Sequence, residues 1–127
     1  MRTEAILPLT PTSDHSGKEG YFVKASSGQA ALVSAATDIP IGVILSGDTT
    51  SGRSSIATPA VGRTVPIKIT GTSPGTIVLG TYLTVKSDGT AQADAGSGNR
   101  VRVARALEAG AANEIIEGYL IEPVALS

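Results

Sequence analysis

The sequence predicts an all-β fold: a small, compact β-sandwich or barrel-like domain with two pseudo-repeated hairpin units and an extended N-terminal arm. Three observations lead there. Fifteen Gly and seven Pro, with abundant Ser and Thr, punctuate the 127-residue chain roughly every eight to twelve positions, the spacing of short strands in a sandwich or barrel. The segments between these turns are rich in Val and Ile, and two alternate apolar and polar residues with a period of two. Finally, the first half of the chain is echoed in the second.

In chain order, residues 1–18 stand apart as an arm and residues 19–127 form the β-domain. Pro8 and Pro11 keep the arm extended. Ile6, Leu7 and Leu9 give it an apolar patch, which a short terminal segment cannot bury by itself. Strands are expected at 20–25, 39–46, 54–58, 64–70, 76–79, 81–86, 90–93, 100–107 and 114–124. In 64–70, Val65, Ile67 and Ile69 share one face, and Pro66, which cannot donate to a ladder, predicts an edge strand. Arg100 and Arg102 point opposite to Val101 and Val103. Residues 114–121 are apolar on both faces, as in a strand covered on both sides. The Ala-rich stretches 29–37 and 104–112 carry a helical alternative, although both are short and Gly110 interrupts the second.

The echo pairs YFVKASSGQAA at 21–31 with YLTVKSDGTA at 82–91. Each is an aromatic-led strand, a Ser/Asp–Gly turn and a small-residue return strand, and the halves are offset by about 61–63 residues. Gly28 and Gly89 occupy the turn positions where a tight hairpin wants positive φ. Two such units would bury together faces that neither buries alone.

Composition narrows the function. With no Cys, disulfides, thiolate metal sites and thiol nucleophiles are all excluded. A formal net charge of −1 lacks the basic surplus that phosphate neutralisation requires, so nucleic acid is not the expected partner. No apolar run approaches the roughly 20 residues of a membrane helix, and the N-terminus has no signal-peptide pattern. His15, the one histidine, lies among Ser13, Asp14 and Ser16 in the arm and reads as part of a solvated polar linker rather than a preorganised triad. One His and one Asp do not make a metal site. Glu108, Glu114, Glu117 and Glu122 read as solvent-facing charges, because a sugar cleft would also want aromatic platforms and aromatics are only 3% of the chain. The same scarcity argues against a small-molecule or carbohydrate-binding barrel. No catalytic, cofactor-binding or metal-ligating residue is assigned, and no cofactor or enzymatic activity is expected. Arg100, Arg102 and Arg105 form the one local basic cluster, a candidate partner-facing strand.

These residues also carry a resemblance. Gly20-Tyr21-Phe22-Val23-Lys24 leading to Gly28, then Ile41-Gly42-Val43-Ile44, Thr64 to Thr70, Leu79 to Val85 with Asp88-Gly89-Thr90, and Arg100 to Leu107 before an apolar last strand, resemble the capsid decoration (cement, or head-stabilisation) proteins of tailed phages over residues 18–122. The resemblance implies a structural virion protein made in the host cytoplasm. It would bind the major capsid protein lattice on the outer capsid surface in many copies, as a homo-oligomer with a trimer favoured. It also implies a capsid-gripping role for the arm, carried here to Ile6, Leu7 and Leu9. The alternative is a tail, baseplate or receptor-binding accessory β-module of a phage.

Overall fold

The computed structural model describes residues 6–60 and 62–127. Ten strands form two antiparallel five-stranded sheets and, among the described residues, no helix. The first unit holds β1 (Ile6–Leu9), β2 (Phe22–Ser26), β3 (Gln29–Leu32), β4 (Gly42–Ser46) and β5 (Ser54–Ala57). The second holds β6 (Val65–Lys68), β7 (Tyr82–Val85), β8 (Ala91–Ala93), β9 (Arg100–Ala106) and β10 (Ile115–Leu126).

The two sheets have the same topology. Their strand orders, β1-β5-β4-β2-β3 and β6-β10-β9-β7-β8, become identical when each strand is matched to the fifth one after it. Each sheet also curls until its outer strands meet. A parallel bridge joins Pro11, beyond β1, to Ala30 in β3, and another joins Ile69, beyond β6, to Ala91 in β8. Thr12 N–H donates to Ala30 at 2.9 Å and Thr70 N–H to Ala91 at 2.9 Å. Such closure removes most of the unpaired edge that a flat sheet would expose.

Backbone hydrogen bonds repeat along with the strands. Gly20 N–H donates to Ile44 as Gly80 N–H donates to Ala106, both at 2.8 Å, and Ile44 N–H donates to Tyr21 as Ala106 N–H donates to Thr81, both at 2.9 Å. Val33 to Phe22 is matched by Asp94 to Tyr82. The echo in the sequence is therefore a duplicated module. Its turn glycines behave as their spacing predicts, with φ of 80° at Gly28 and 85° at Gly89.

The first sheet has its own inner cluster of Val23, Ala30, Ile44 and Ile56, with Leu9, Leu32 and Ile41 packed on it. Its other face, carrying Phe22, Val33, Val43 and Ala57, joins the larger core of the second unit, including Val65, Ile67, Leu83, Val103 and Leu120. The units are also stitched through backbone: Lys68 N–H donates to Gly20 at 2.9 Å and Phe22 N–H to Gly89 at 2.8 Å.

Several expectations are corrected. Residues 6–18 are not a separate arm: β1 pairs antiparallel with β5, from Ile6↔Ala57 to Leu9↔Ser54. After it, His15 N–H donates to Asp48 and Gly47 N–H to the Glu19 carboxylate. The prolines that keep this stretch extended suit a strand as well as an arm. Residues 1–5 of the expected arm lie outside the described residues. His15 is fully buried rather than solvated. Residues 76–79 are a turn with an isolated Ile77↔Gly110 bridge, because Val78 N–H donates to the Thr81 hydroxyl and Gly75 and Gly80, both at positive φ, bend the chain on either side. The last strand is not covered on both sides; it alternates, with Ile115 53% exposed and Ile116 3%. The helical alternatives give way to strands at Gln29–Leu32 and through Ala106. The Asp38 carboxylate accepts from Ser34 and Ala35 N–H to close the turn after β3. Pro66 does lie on an outer strand, opposite Glu117.

Gly20, at φ +87°, sits where the units meet, and a Cβ there would stand 2.7 Å from the backbone nitrogen of Lys68. At Gly28 a Cβ would meet nothing within 4 Å. Gly28→Ala should therefore cost only the left-handed backbone strain, about 1 kcal/mol, and Gly20→Ala clearly more, about 2 kcal/mol or above. Urea unfolding of the two variants checks the order, and equal costs would contradict the proposed junction. Removing residues 1–12 takes away β1 and the bridging Pro11, so the truncated chain should unfold at markedly lower urea than the full chain.

Candidate docking surface

The functional candidates from sequence fall in two places. Ile6, Leu7 and Leu9 lie in β1, held by β5; Leu9 packs toward the first sheet's inner cluster, and Leu7 is the most outward of the three, at 37% exposure. They form one outer strand, not a free tether.

Arg100, Arg102 and Arg105 lie together on β9, and a bulge brings them to one face. β7 pairs Leu83 with Ala104 and Thr84 with Arg102, so Val103 is passed over. Two consecutive residues, Val103 and Ala104, then point inward, and Arg105 returns to the side that Arg100 and Arg102 occupy. Strict alternation would have placed Arg105 in the core.

Asp94 organises two of these guanidiniums. Its carboxylate accepts from Arg100 Nε and, at 2.6 Å, from Arg102 Nε, and it also accepts from Gly96 N–H at 2.9 Å. Burial opposes its charge, but the Gly96, Arg102 and Arg100 hydrogen bonds prevail and hold its pKa down at about 2. Arg102 and Arg105 both lie over the Tyr82 ring, their guanidinium carbons 4.4 and 4.8 Å from its centroid. Arg105 Nε donates to the Gly80 carbonyl at 2.9 Å. A hydrogen bond to the side chain of Tyr119, its neighbour in register on β10, and the nearby Tyr82 push the Arg105 pKa up.

The result is a row across three strands, Tyr82–Arg105–Tyr119, half-exposed on the outer face of the second sheet. Beside Tyr119 an open groove of about 290 Å³ is lined by Gly62, Arg63, Thr64 and Leu107. Leu107, exposed, lines that groove with Tyr119, and Leu79, at 71% exposure, stands next to Gly80 in the chain. No acidic side chain among the described residues forms an ion pair with Arg63 or Arg105. Sequence reasoning found the arginines but missed Tyr82, Tyr119 and Asp94, because the bulge and the strand register that gather them are not written in local spacing.

The four glutamates play local parts. Glu108 accepts from Glu117 N–H and Glu114 from Ala111 N–H, and all four, including Glu122, are exposed. Among the described residues, no group of three or more His, Asp and Glu side chains is placed to hold a metal, and no helix is long and apolar enough to cross a membrane.

His15 is the one titratable ring in the interior. Among the described residues neither ring nitrogen has a hydrogen-bond partner, and burial pushes its pKa down, against the opposing pull of Asp14.

No family model matches the sequence. No curated protein matches it either. Among solved structures, the chain is similar to the crystal structure of the N base of head fiber gp8.5 in bacteriophage phi29, with a TM-score of 0.58 at 17% identity. The match covers 96% of this chain and 97% of that one, so the two share a fold from end to end.

These titrating groups predict two acid transitions. A depressed native pKa means that the unfolded chain binds the proton more readily, so stability rises with pH across the window. The His15 contribution should be present in full above about pH 6.5 and fade as pH falls below it. The Asp94 contribution should be complete above about pH 4 and disappear toward pH 2. Asp38, also held at about 2 by Lys24 and by Ser34 and Ala35 N–H, adds to the second step. Thermal midpoints measured from pH 7 to pH 2 should show both steps. His15→Leu should flatten the first, and Asp94→Asn should shrink the second to the share of Asp38; a midpoint that does not change with pH in the wild type would contradict both assignments.

Proposed function

We propose that this protein is a structural, non-catalytic component of a tailed-phage particle that binds the outer surface of the capsid and stabilises the shell. The observation that carries the reading is the end-to-end likeness of fold to the N base of a phage head fiber. The sequence features that resemble head-decoration proteins point the same way, and they lie in the duplicated hairpins that build both sheets.

The physics of such a role asks little of any single contact. A protein that bridges two shell subunits stabilises the assembled state by mass action, since it binds that state and not the separated subunits. Copies joined as an oligomer, with a trimer favoured, present several contacts to a symmetric lattice, and effective concentration turns modest affinities into durable attachment. Closed sheets with few bulky side chains suit a module that is made in quantity and must not associate through its edges.

The alternative, a tail or baseplate accessory module, differs in location and copy number. Quantitative mass spectrometry of purified particles, with cryo-electron microscopy, separates the two. Many copies on the head surface are expected; a few copies at the tail would replace the capsid reading, and absence from particles would end both. Light scattering of the purified protein should give the mass of a trimer. Heads stripped of the protein should break at lower temperature than decorated heads, and equal breakage would remove the stabilising role.

A further inference from the structure

The internal duplication identifies a docking face. In the first unit Phe22, Val43 and Ala57 form one row across β2, β4 and β5. The repeated register and hydrogen bonds place Tyr82, Arg105 and Tyr119 at the equivalent positions of the second unit, on β7, β9 and β10. The first row is sealed, at 1%, 0% and 0% exposure, because the second unit packs on it. The second row occupies the same place on the module, and it is half-exposed among the described residues.

Its chemistry has changed with its surroundings. Phe is replaced by Tyr, Val by Arg and Ala by Tyr, so a row that buries against an apolar core has become one that offers rings and a cation. Arg105 is held ready on the row, with Nε on the Gly80 carbonyl, a hydrogen bond to the Tyr119 side chain and its guanidinium carbon 4.8 Å from the Tyr82 ring centre, so its cation is positioned to share a carboxylate with Tyr119. Four arginines, Arg63, Arg100, Arg102 and Arg105, lie on or beside this face, while Asp94 answers only Arg100 and Arg102. Glu117, in the next row, makes no ion pair with Arg105. Tyr and Arg are the residues enriched where interfaces concentrate their energy.

We propose that the Tyr82–Arg105–Tyr119 row is a protein-docking face that receives an acidic segment of a partner, with a carboxylate on Arg105 and apolar contacts over the two rings. The identification of that partner as a capsid subunit rests on the reading above; the face itself does not. Charge complementarity selects an acidic protein segment over nucleic acid, which would want a broader basic field than a chain of net charge −1 supplies.

The test uses the full chain in two assays. In the first, wild type, Arg105→Glu, Arg105→Lys and Arg63→Glu are pelleted with heads of the parent phage that lack the protein. In the second, a fluorescent hexaglutamate peptide is titrated into the same proteins, with oligouridine as competitor. Charge reversal at Arg105 should weaken both by about tenfold or more, Arg105→Lys should fall between, and added salt should weaken the wild type. If Arg105→Glu does not fold, by circular dichroism, Arg63→Glu carries the same expectation from outside the sheet. Head binding that is unchanged in both reversals overturns the face and leaves the capsid role standing. Wild type that ignores heads but binds hexaglutamate, with the reversals losing it, removes the capsid role and leaves the face. Oligouridine displacing the peptide at lower concentration than hexaglutamate itself, or Arg105→Glu changing only the oligomer's mass, overturns the acidic-partner assignment.

Discussion

Phe22, the chain's one phenylalanine, Val43 and Ala57 form a row that lies fully buried between two sheets, and the stability of the molecule turns on that burial. Each sheet by itself is a five-stranded curl filled largely with Val, Ile and Ala, which bury little area per residue. Packing the outer row of one curl against its duplicate supplies apolar area that a single copy lacks. Gly20 is the hinge of this arrangement, since the junction passes a Lys68 N–H to its carbonyl where no side chain fits.

The same constraint explains why the two halves have diverged unequally. Backbone hydrogen bonds recur at equivalent positions of the two halves, because they define the curl. Side chains differ where the halves face different surroundings. Val33 packs in the core, whereas its counterpart Asp94 takes two arginines on an outer face. Ile44 fills the inside of the first sheet, whereas its counterpart Ala106 leaves room beside Gly118, where a Cβ would strike Ile67. A repeated backbone is thus a scaffold on which one face turns inward and the equivalent face turns out.

Electrostatics on the outer face follow from that geometry. Asp94 is largely buried and carries one charge for two guanidiniums, so the pairing orders Arg100 and Arg102 at the end of β9. Arg102 and Arg105 then both lie over the Tyr82 ring, which attracts both cations. A side chain held this way loses less entropy on meeting a partner than a free surface arginine would.

The sequence by itself determined the class of fold, most strand positions, the edge placement of Pro66 and the duplication. These follow from local rules: period-two alternation, the missing N–H of proline, and the positive φ that Gly28 and Gly89 accept. Tertiary structure decided what local rules do not encode. Ile6–Leu9 became a paired strand because β5 offered it an edge far along the chain, and His15 is held against Gly47 and Asp48, distant in sequence, by close packing and a backbone hydrogen bond. The Tyr82–Arg105–Tyr119 row depends on one bulge at Val103, and a single extra residue in a ladder changes which face every later side chain takes. Periodicity within a strand states which residues share a side; only the partner strands fix where that side points.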